Sequence, residues 1–289
     1  MRATLRKFAA RLLLLAGLTL LGGLVSATLV RFAPGYGTDE RSLDPRLSQS
    51  SVEALRASRQ MGSGLLSYYG RYLLGAVQGD FGTSQWLGRP VRSLIQERLP
   101  VTIRSVFFGI LLAWVAALAC ALSAFPAGGT FFNIPGTVAS SVLIALPIGV
   151  VAMLAVYLHA PVFVAIAIVT FPKLFRYLQN LFANAYSRPH VLAARTRGIT
   201  QARIVFRHVL PFGAPAMLAL FGVSISMAFG AAIPIEALCD SPGVGQLAWQ
   251  AALNRDLPLI MNLTLLITLL TVAVNSLAGM AAAPHENAA

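Results

Sequence analysis

The sequence predicts an all-α polytopic membrane protein with six transmembrane helices and an outer segment over residues 31–103. Three observations predict it. Hydrophobic residues make up 57% of the 289 and charged residues 11%, with a mean hydropathy of +0.72; soluble domains run at roughly 45–50% and about 25%. Ser105–Pro172 carries no Asp, Glu, Lys or Arg over 68 positions, whereas one crossing needs only about 20 apolar residues. The basic residues also collect in particular connecting segments, as the positive-inside rule expects. Together these exclude a soluble enzyme, a disordered chain and a disulfide-stapled secreted domain. The net charge of +12 is read as membrane topology before nucleic acid. Cys120 and Cys239 form no metal-like spacing, and Cys120 sits inside an apolar run.

The first span is Leu12–Val30, behind Arg2, Arg6, Lys7 and Arg11. Val25-Ser26-Ala27 resembles a signal cleavage site, but the run is long and further spans follow, so an uncleaved helix is expected. Residues 1–30 thus form the amino terminus and helix 1. Within 31–103, residues 34–50 are rich in Pro, Gly, Ser and Asp and read as loop. Ser51–Val77 then turns helical, with Leu65, Tyr68, Tyr69, Tyr72, Leu73 and Val77 on one face suited to the membrane interface. Gly79-Asp80-Phe81-Gly82-Thr83-Ser84 is a turn, and Val91–Leu99 a short amphipathic helix running into Pro100.

Residues 104–280 hold five more helices. Pro126-Ala127-Gly128-Gly129, Pro135-Gly136 and His159-Ala160-Pro161 divide the charge-free stretch into helices near 104–124, 136–158 and 161–183. His208–Ile235 is the fifth span, beginning after Pro211, and Leu257–Met280 the sixth. Residues 281–289 form a tail. The amino terminus carries four basic residues and no acid; segment 173–207 carries seven (Lys173, Arg176, Arg188, Arg195, Arg197, Arg203, Arg207) and no acid. Six crossings starting from inside put both segments, and both termini, in the cytoplasm and loop 237–256 outside.

Motifs for catalysis and nucleotide binding are missing: no HExxH, GxSxG or GxxxxGK[ST] occurs. Gly243-Val244-Gly245-Gln246-Leu247-Ala248 fits a dinucleotide pattern only formally, since no strand precedes it. No catalytic, cofactor or metal site is expected. Glu236 is the one acid within a span, at the outer end of helix 5. Ser140, Ser141, Tyr157, Ser224 and Ser226 are candidates for the path or for helix-to-helix hydrogen bonds. In Val191–Pro211, Ile199, Ala202, Val205, Phe206 and Val209 form an apolar stripe with Arg195, Arg197, Arg203 and Arg207 around it. Such a helix suits either anionic headgroups or a groove on a cytoplasmic partner. Gly198 lets the chain turn between two short helices.

At this point the chain resembles the inner-membrane permease subunits of bacterial ABC importers, the B-type subunit of the dipeptide/oligopeptide/nickel group. The resemblance covers residues 8–277 and rests on four places. These are Arg31-Phe32-Ala33-Pro34-Gly35; Gly79–Ser84 with Arg89-Pro90-Val91 and Glu97-Arg98-Leu99-Pro100-Val101-Thr102; Ala193-Ala194-Arg195 with Gly198 and His208, similar to the cytoplasmic "EAA" loop; and Glu236 with Ser241-Pro242-Gly243-Val244-Gly245, Asn254-Arg255-Asp256-Leu257-Pro258 and Asn275. Leu192 stands where that loop has Glu, Pro211-Phe212 replaces a basic-Asn pair, Gly279 replaces a late acid, and the family's closing Asp-Pro-Arg is absent.

The resemblance implies a non-catalytic subunit without cofactors, forming half of a path for peptides or a related solute. It implies four kinds of company in a bacterial inner membrane: a second homologous permease, two cytoplasmic ATPases, an extracytoplasmic solute-binding protein, and lipid, with no nucleic acid. Ala193, Ala194, Arg195, Gly198, His208 and Pro211, within loop 185–211, would couple to an ATPase. Asp80, Glu236, Pro242, Gly243, Gly245, Arg255 and Asp256 would face the binding protein or form an outer gate, or else pack the permease together. A secondary carrier or channel, a membrane-embedded enzyme and a specialised or decayed paralogue are the competing readings.

Overall fold

The computed structural model describes residues 17, 20–25, 28, 70, 73–76, 78–123 and 134–286. Among them the regular structure is helical, apart from one isolated bridge between Thr83 and Pro90. The helices from residue 91 onward are α1 (Val91–Ser123), α2 (Ile134–Ala145), α3 (Ile148–Tyr157), α4 (Val162–Tyr186), α5 (Pro189–Thr196), α6 (Gln201–Ile204), α7 (Leu210–Leu238), α8 (Val244–Leu253) and α9 (Leu257–Glu286). A π turn, Val205–Val209, joins α6 to α7. Helix is the expected answer here, because in hydrocarbon each backbone N–H and C=O must find its partner inside the segment.

Four stretches are long and apolar enough to cross a membrane: α1, α4, Gln201–Leu238 and Leu257–Ser276. The pair α2–α3 makes a fifth if it counts as one broken span. Most of the expected first span lies outside the described residues, although 17, 20–25 and 28 are helical. The expected interfacial helix at 51–77 (described only at 70 and 73–76), the loop 34–50, the Arg31–Gly35 motif, the Pro126–Gly129 break and the last residues of the tail also lie outside.

Prolines correct the expected boundaries in both directions. Val91–Leu99 is not a separate helix: α1 runs straight through Pro100 for 33 residues. Pro100 removes one donor, that for the Gln96 carbonyl, and both residues are exposed, so the freed oxygen stays accessible. The expected helix over 136–158 is instead two helices meeting at 101°. Pro147 causes it: it caps α3 at φ −60°, ψ 143°, and disfavours helical geometry in the residue before it. Pro211 does not open a new helix either. The helical path is continuous from Gln201 to Leu238, with Pro211 two residues after the π turn Val205–Val209. Loop 237–256 contains α8.

The chain divides into two compact units, residues 1–97 with 248–269 and residues 98–247 with 270–289. In the second unit, α4 packs against α2, α3 and α7. Its buried residues include Leu174, Phe175, Leu178, Phe182 and Ala185, at helical spacing. They form one core with Ala113, Ala117, Ile204 and Val209. A second core joins Val106 and Ile110 of α1 to Val151, Ile166 and Ala232. The serines act as cross-links: Ser141 accepts from Arg176 (2.9 Å), Ser224 from Trp114 (3.0 Å) and Ser226 from Asn275 (2.8 Å). Tyr157 is 79% exposed.

Gly109 marks a close approach of α1 to α4. A Cβ there would lie 2.8 Å from Ile166 Cγ2 and 3.1 Å from the Phe163 carbonyl oxygen. Gly109→Val is therefore expected to destabilise the protein by about 1–3 kcal/mol, read as a lowered unfolding temperature in detergent. An unchanged temperature would mean that the α1–α4 contact gives way at no cost.

Candidate functional site

Segment 185–211 is built on the carboxyl end of α4. Pro189 occupies the first turn of α5, the position that tolerates it. After Thr196 the chain turns at Gly198, whose φ of +72° is the left-handed region that glycine reaches without strain. The Gly198 amide donates to the Arg195 carbonyl (3.0 Å) and Ile199 to Ala194 (3.3 Å), closing the helix end. Val191 and Ala194 are buried in the core that holds Phe182 and Ala185. Tyr186, at the end of α4, secures both short helices: its hydroxyl donates to Gln201 Oε1 (2.6 Å), and the Arg195 guanidinium lies 4.9 Å from its ring centroid. Arg188 stacks in the same way on Phe212 of α7, at 4.9 Å.

The expected apolar stripe is corrected by the π turn. Ile204, Val205 and Val209 are buried, while Ala202 is exposed and Phe206 is 68% exposed. The stretch joins the short α6 to a π turn with i→i+5 hydrogen bonds, and its buried face is centred on Ile204, Val205 and Val209. Of the six residues assigned to this segment, Ala193, Arg195, Gly198 and Pro211 are exposed, His208 is half-buried and Ala194 is buried. Leu192 is also exposed, at 48%.

The other residues singled out fall in two places. In the second unit, Glu236 sits in the last turn of α7 with none of its surface exposed. Its Oε2 accepts from Thr102 Oγ1 of α1 (3.0 Å) and from the Gly245 amide (2.7 Å). Thr102 Oγ1 accepts in turn from the Val244 amide (2.7 Å). Among the described residues, Glu236 Oε1 has no hydrogen-bond partner. Gly243 and Gly245 make this close approach possible: a Cβ on Gly243 would overlap the Glu236 carboxylate, and one on Gly245 would lie 2.6 Å from Ile233 Cα. Arg98 donates to Gln246 (3.0 Å), and Gln246 to Asp240 (2.5 Å). Pro242 is exposed.

In the first unit, Asp256 is 1% exposed. Oδ1 accepts from the Leu259 amide (3.2 Å), an N-cap for α9. Oδ2 accepts from Ser84 Oγ (2.5 Å) and the Trp86 amide (3.0 Å). Asn262 donates to the Phe81 carbonyl (2.8 Å). The Gly79–Ser84 turn is thereby fastened to the start of α9. Asp80 is exposed and accepts from the Gly82 amide (2.9 Å), and Arg255 is exposed at φ +53°. Sequence reasoning had not assigned site roles to Thr102, Asn262, Tyr186 or Gln201.

Neither carboxylate is arranged for bond-making chemistry, and among the described residues no group of three His, Cys, Asp or Glu could hold a metal ion. What the arrangement does is fix short polar elements to the ends of apolar helices. Residues 121–283, spanning α5–α6, Glu236 and Asp256, match the family model described as the binding-protein-dependent transport system inner membrane component. The chain belongs to that family. This permease is 27% identical to the oligopeptide transport system permease protein AppB of Bacillus subtilis, over 92% of each chain. To the oligopeptide transport system permease protein OppB of Salmonella typhimurium it is 26% identical, over 84% of this chain and 85% of that one. To OppB of Escherichia coli it is 25% identical over the same shares. As a family member it is a multi-pass inner-membrane permease subunit, not a catalytic one.

The Glu236 cluster makes a coupled prediction. Glu236→Ala strands the Thr102 hydroxyl and the Gly245 amide, and is expected to cost ~1–3 kcal/mol per stranded group. Thr102→Val strands the Val244 amide in addition. The double variant should lose less than the sum of the singles, by thermal unfolding in detergent. Strict additivity would show that the two side chains do not act together.

Proposed function

We propose that this permease forms half of the translocation path of an ABC importer for peptides or a closely related small solute. The observation that carries the proposal is the end-to-end match with oligopeptide permeases, 92% of both chains for AppB, rather than with one local motif. In this reading residues 1–30 are the amino terminus and first span, 31–103 the outer segment, 104–280 the five-helix core and 281–289 the tail, with both termini in the cytoplasm. The partners are a second homologous permease, two cytoplasmic ATPases and an outer solute-binding protein.

Segment 185–211 is the coupling element. α5 presents Leu192, Ala193 and Arg195 outward and the π turn presents Phe206, while Val191, Ala194 and Ile204 are buried with α4 residues. An exposed apolar face flanked by arginines suits a groove on an ATPase, and the stacked pairs Tyr186–Arg195 and Arg188–Phe212 link a push on α5 to both α4 and α7. ATP-driven closure of the ATPases would move this element and switch access between the two sides of the membrane. Glu236 with Thr102, Gly243 and Gly245 in one unit, and Asp256 with Ser84 in the other, are assigned to the outer side; Asp80, Pro242 and Arg255 are exposed, as contact with the binding protein requires.

Two measurements test this. Purification from native membranes in mild detergent is expected to bring down a second permease and ATPase activity; recovery of the chain alone and inactive favours a carrier. Gly198→Asp, which forces a side chain into a left-handed turn at about 1–2 kcal/mol and puts a charge on the coupling face, is expected to reduce peptide uptake to background with membrane insertion intact. Full uptake in that variant removes the coupling assignment.

A further inference from the structure

Between α1 and α7, within the second unit, runs an open groove of about 490 Å³, the size of a small-molecule site rather than of a packing defect. Leu210, Ala214, Met217, Leu218 and Phe221 of α7 line it, with Trp114 of α1. All six side chains are apolar or aromatic. The one polar atom among them, the Trp114 indole N–H, donates to Ser224 (3.0 Å), so the groove meets only the ring, tilted against Phe221 at 5.9 Å.

Charges along the two helices set its depth. From Val209 to Ile235 the chain carries no charged side chain; Arg207 stands before this stretch and Glu236 after it. Those residues span about 40 Å at helical rise, more than the ~30 Å of hydrocarbon. On α1 the last charge is Arg104. Trp114 lies ten residues beyond it, about 15 Å, or half the hydrocarbon thickness. The groove therefore begins at Leu210, beside the charged end, and stops at mid-depth against Trp114 and Phe221.

The charged end lacks counter-ions. Arg203 and Arg207 are both exposed, and among the described residues neither guanidinium has an ion-pair or hydrogen-bond partner. The neighbouring chain has none to supply, since no Asp or Glu occurs between Glu97 and Glu236. Arg207 also heads the exposed stripe that borders the groove: Arg207, Pro211, Ala214, Leu218 and Phe221, at spacings of four and three along one continuous helical path. Unpaired cations at the headgroup end of an apolar channel are complementary to a molecule with an anion at one end and hydrocarbon behind it.

We infer that this groove holds one acyl chain of an anionic phospholipid, with the lipid phosphate on Arg207 and Arg203. Each contact uses a different part of the lipid, and the charge distinguishes it from the neutral lipid that coats any span. The inference uses only the membrane reading of α1 and α7, so it stands or falls independently of the importer reading.

The test uses the full chain in phosphatidylcholine vesicles. Trp86→Phe and Trp249→Phe leave Trp114 as the single tryptophan. Lipids brominated midway along the acyl chain are then added as phosphatidylglycerol or as phosphatidylcholine. Brominated phosphatidylglycerol is expected to quench Trp114 at a mole fraction about five-fold lower, the preference that one arginine contributes at an anionic headgroup. Arg203→Gln with Arg207→Gln is expected to bring the two curves together, while Arg203→Lys with Arg207→Lys, which keeps the charge, retains the preference. Ala214→Phe, which fills the groove, is expected to weaken quenching by both lipids. Equal quenching by the two lipids in the unaltered groove would mean ordinary boundary lipid and overturn the inference. So would a preference that survives the glutamine pair, or no quenching by either lipid, which means cover by a second permease.

Discussion

A bilayer supplies no hydrogen bonds, and this constraint decides most of what the chain does. Every N–H and C=O at depth has to be satisfied by its own segment, so the apolar stretches are helical, and the positions that interest a mechanism are those where that satisfaction fails. Proline tests the rule repeatedly. Pro100, Pro172, Pro215 and Pro234 sit inside helices that continue past them. Pro147 separates two helices by 101°. The residue type is the same in each case; what differs is whether a neighbouring turn can absorb the lost donor. Between Val205 and Val209 the chain absorbs the strain in another way, widening to a π turn just ahead of Pro211.

The few acids near the apolar helices follow from the same economy of donors. Glu236 and Asp256 are each buried at a helix end, and each collects backbone amides that would otherwise lack partners: Gly245 for one, Trp86 and Leu259 for the other. A hydroxyl assists in both, Thr102 and Ser84. Two loops that differ in sequence are therefore fixed by the same device, a carboxylate, a hydroxyl and turn amides.

Four of the expected spans, and a fifth if the bent pair α2–α3 is one crossing, were legible from charge-free runs, because exclusion of charge is a property of each residue taken singly. The family was legible from the order of several short motifs. Hydrogen bonds between residues far apart in the chain were not. Thr102 and Glu236 are 134 positions apart, and Ser84 and Asp256 are 172 apart; nothing local in either residue names its partner. The stripe over 199–209 was misphased for a related reason. Periodicity assumes one continuous helix of constant turn, whereas here a four-residue α6 runs into a π turn and the buried residues are Ile204, Val205 and Val209. Pro147 was passed over because the flanking residues are uniformly apolar, so composition did not register the change of direction.

The unbroken path from Gln201 to Leu238 has a mechanical consequence. Thirty-eight residues span about 57 Å at helical rise, nearly twice the hydrocarbon thickness of about 30 Å. Such a rod cannot be immersed end to end, and its two ends answer to different surroundings. One end is clasped by the Tyr186–Gln201 bond and the other by the Glu236–Thr102 bond. A tilt imposed at either clasp displaces the opposite end by a distance that grows with arm length. The π turn, set nearer one end, divides the rod into a short arm and a long one.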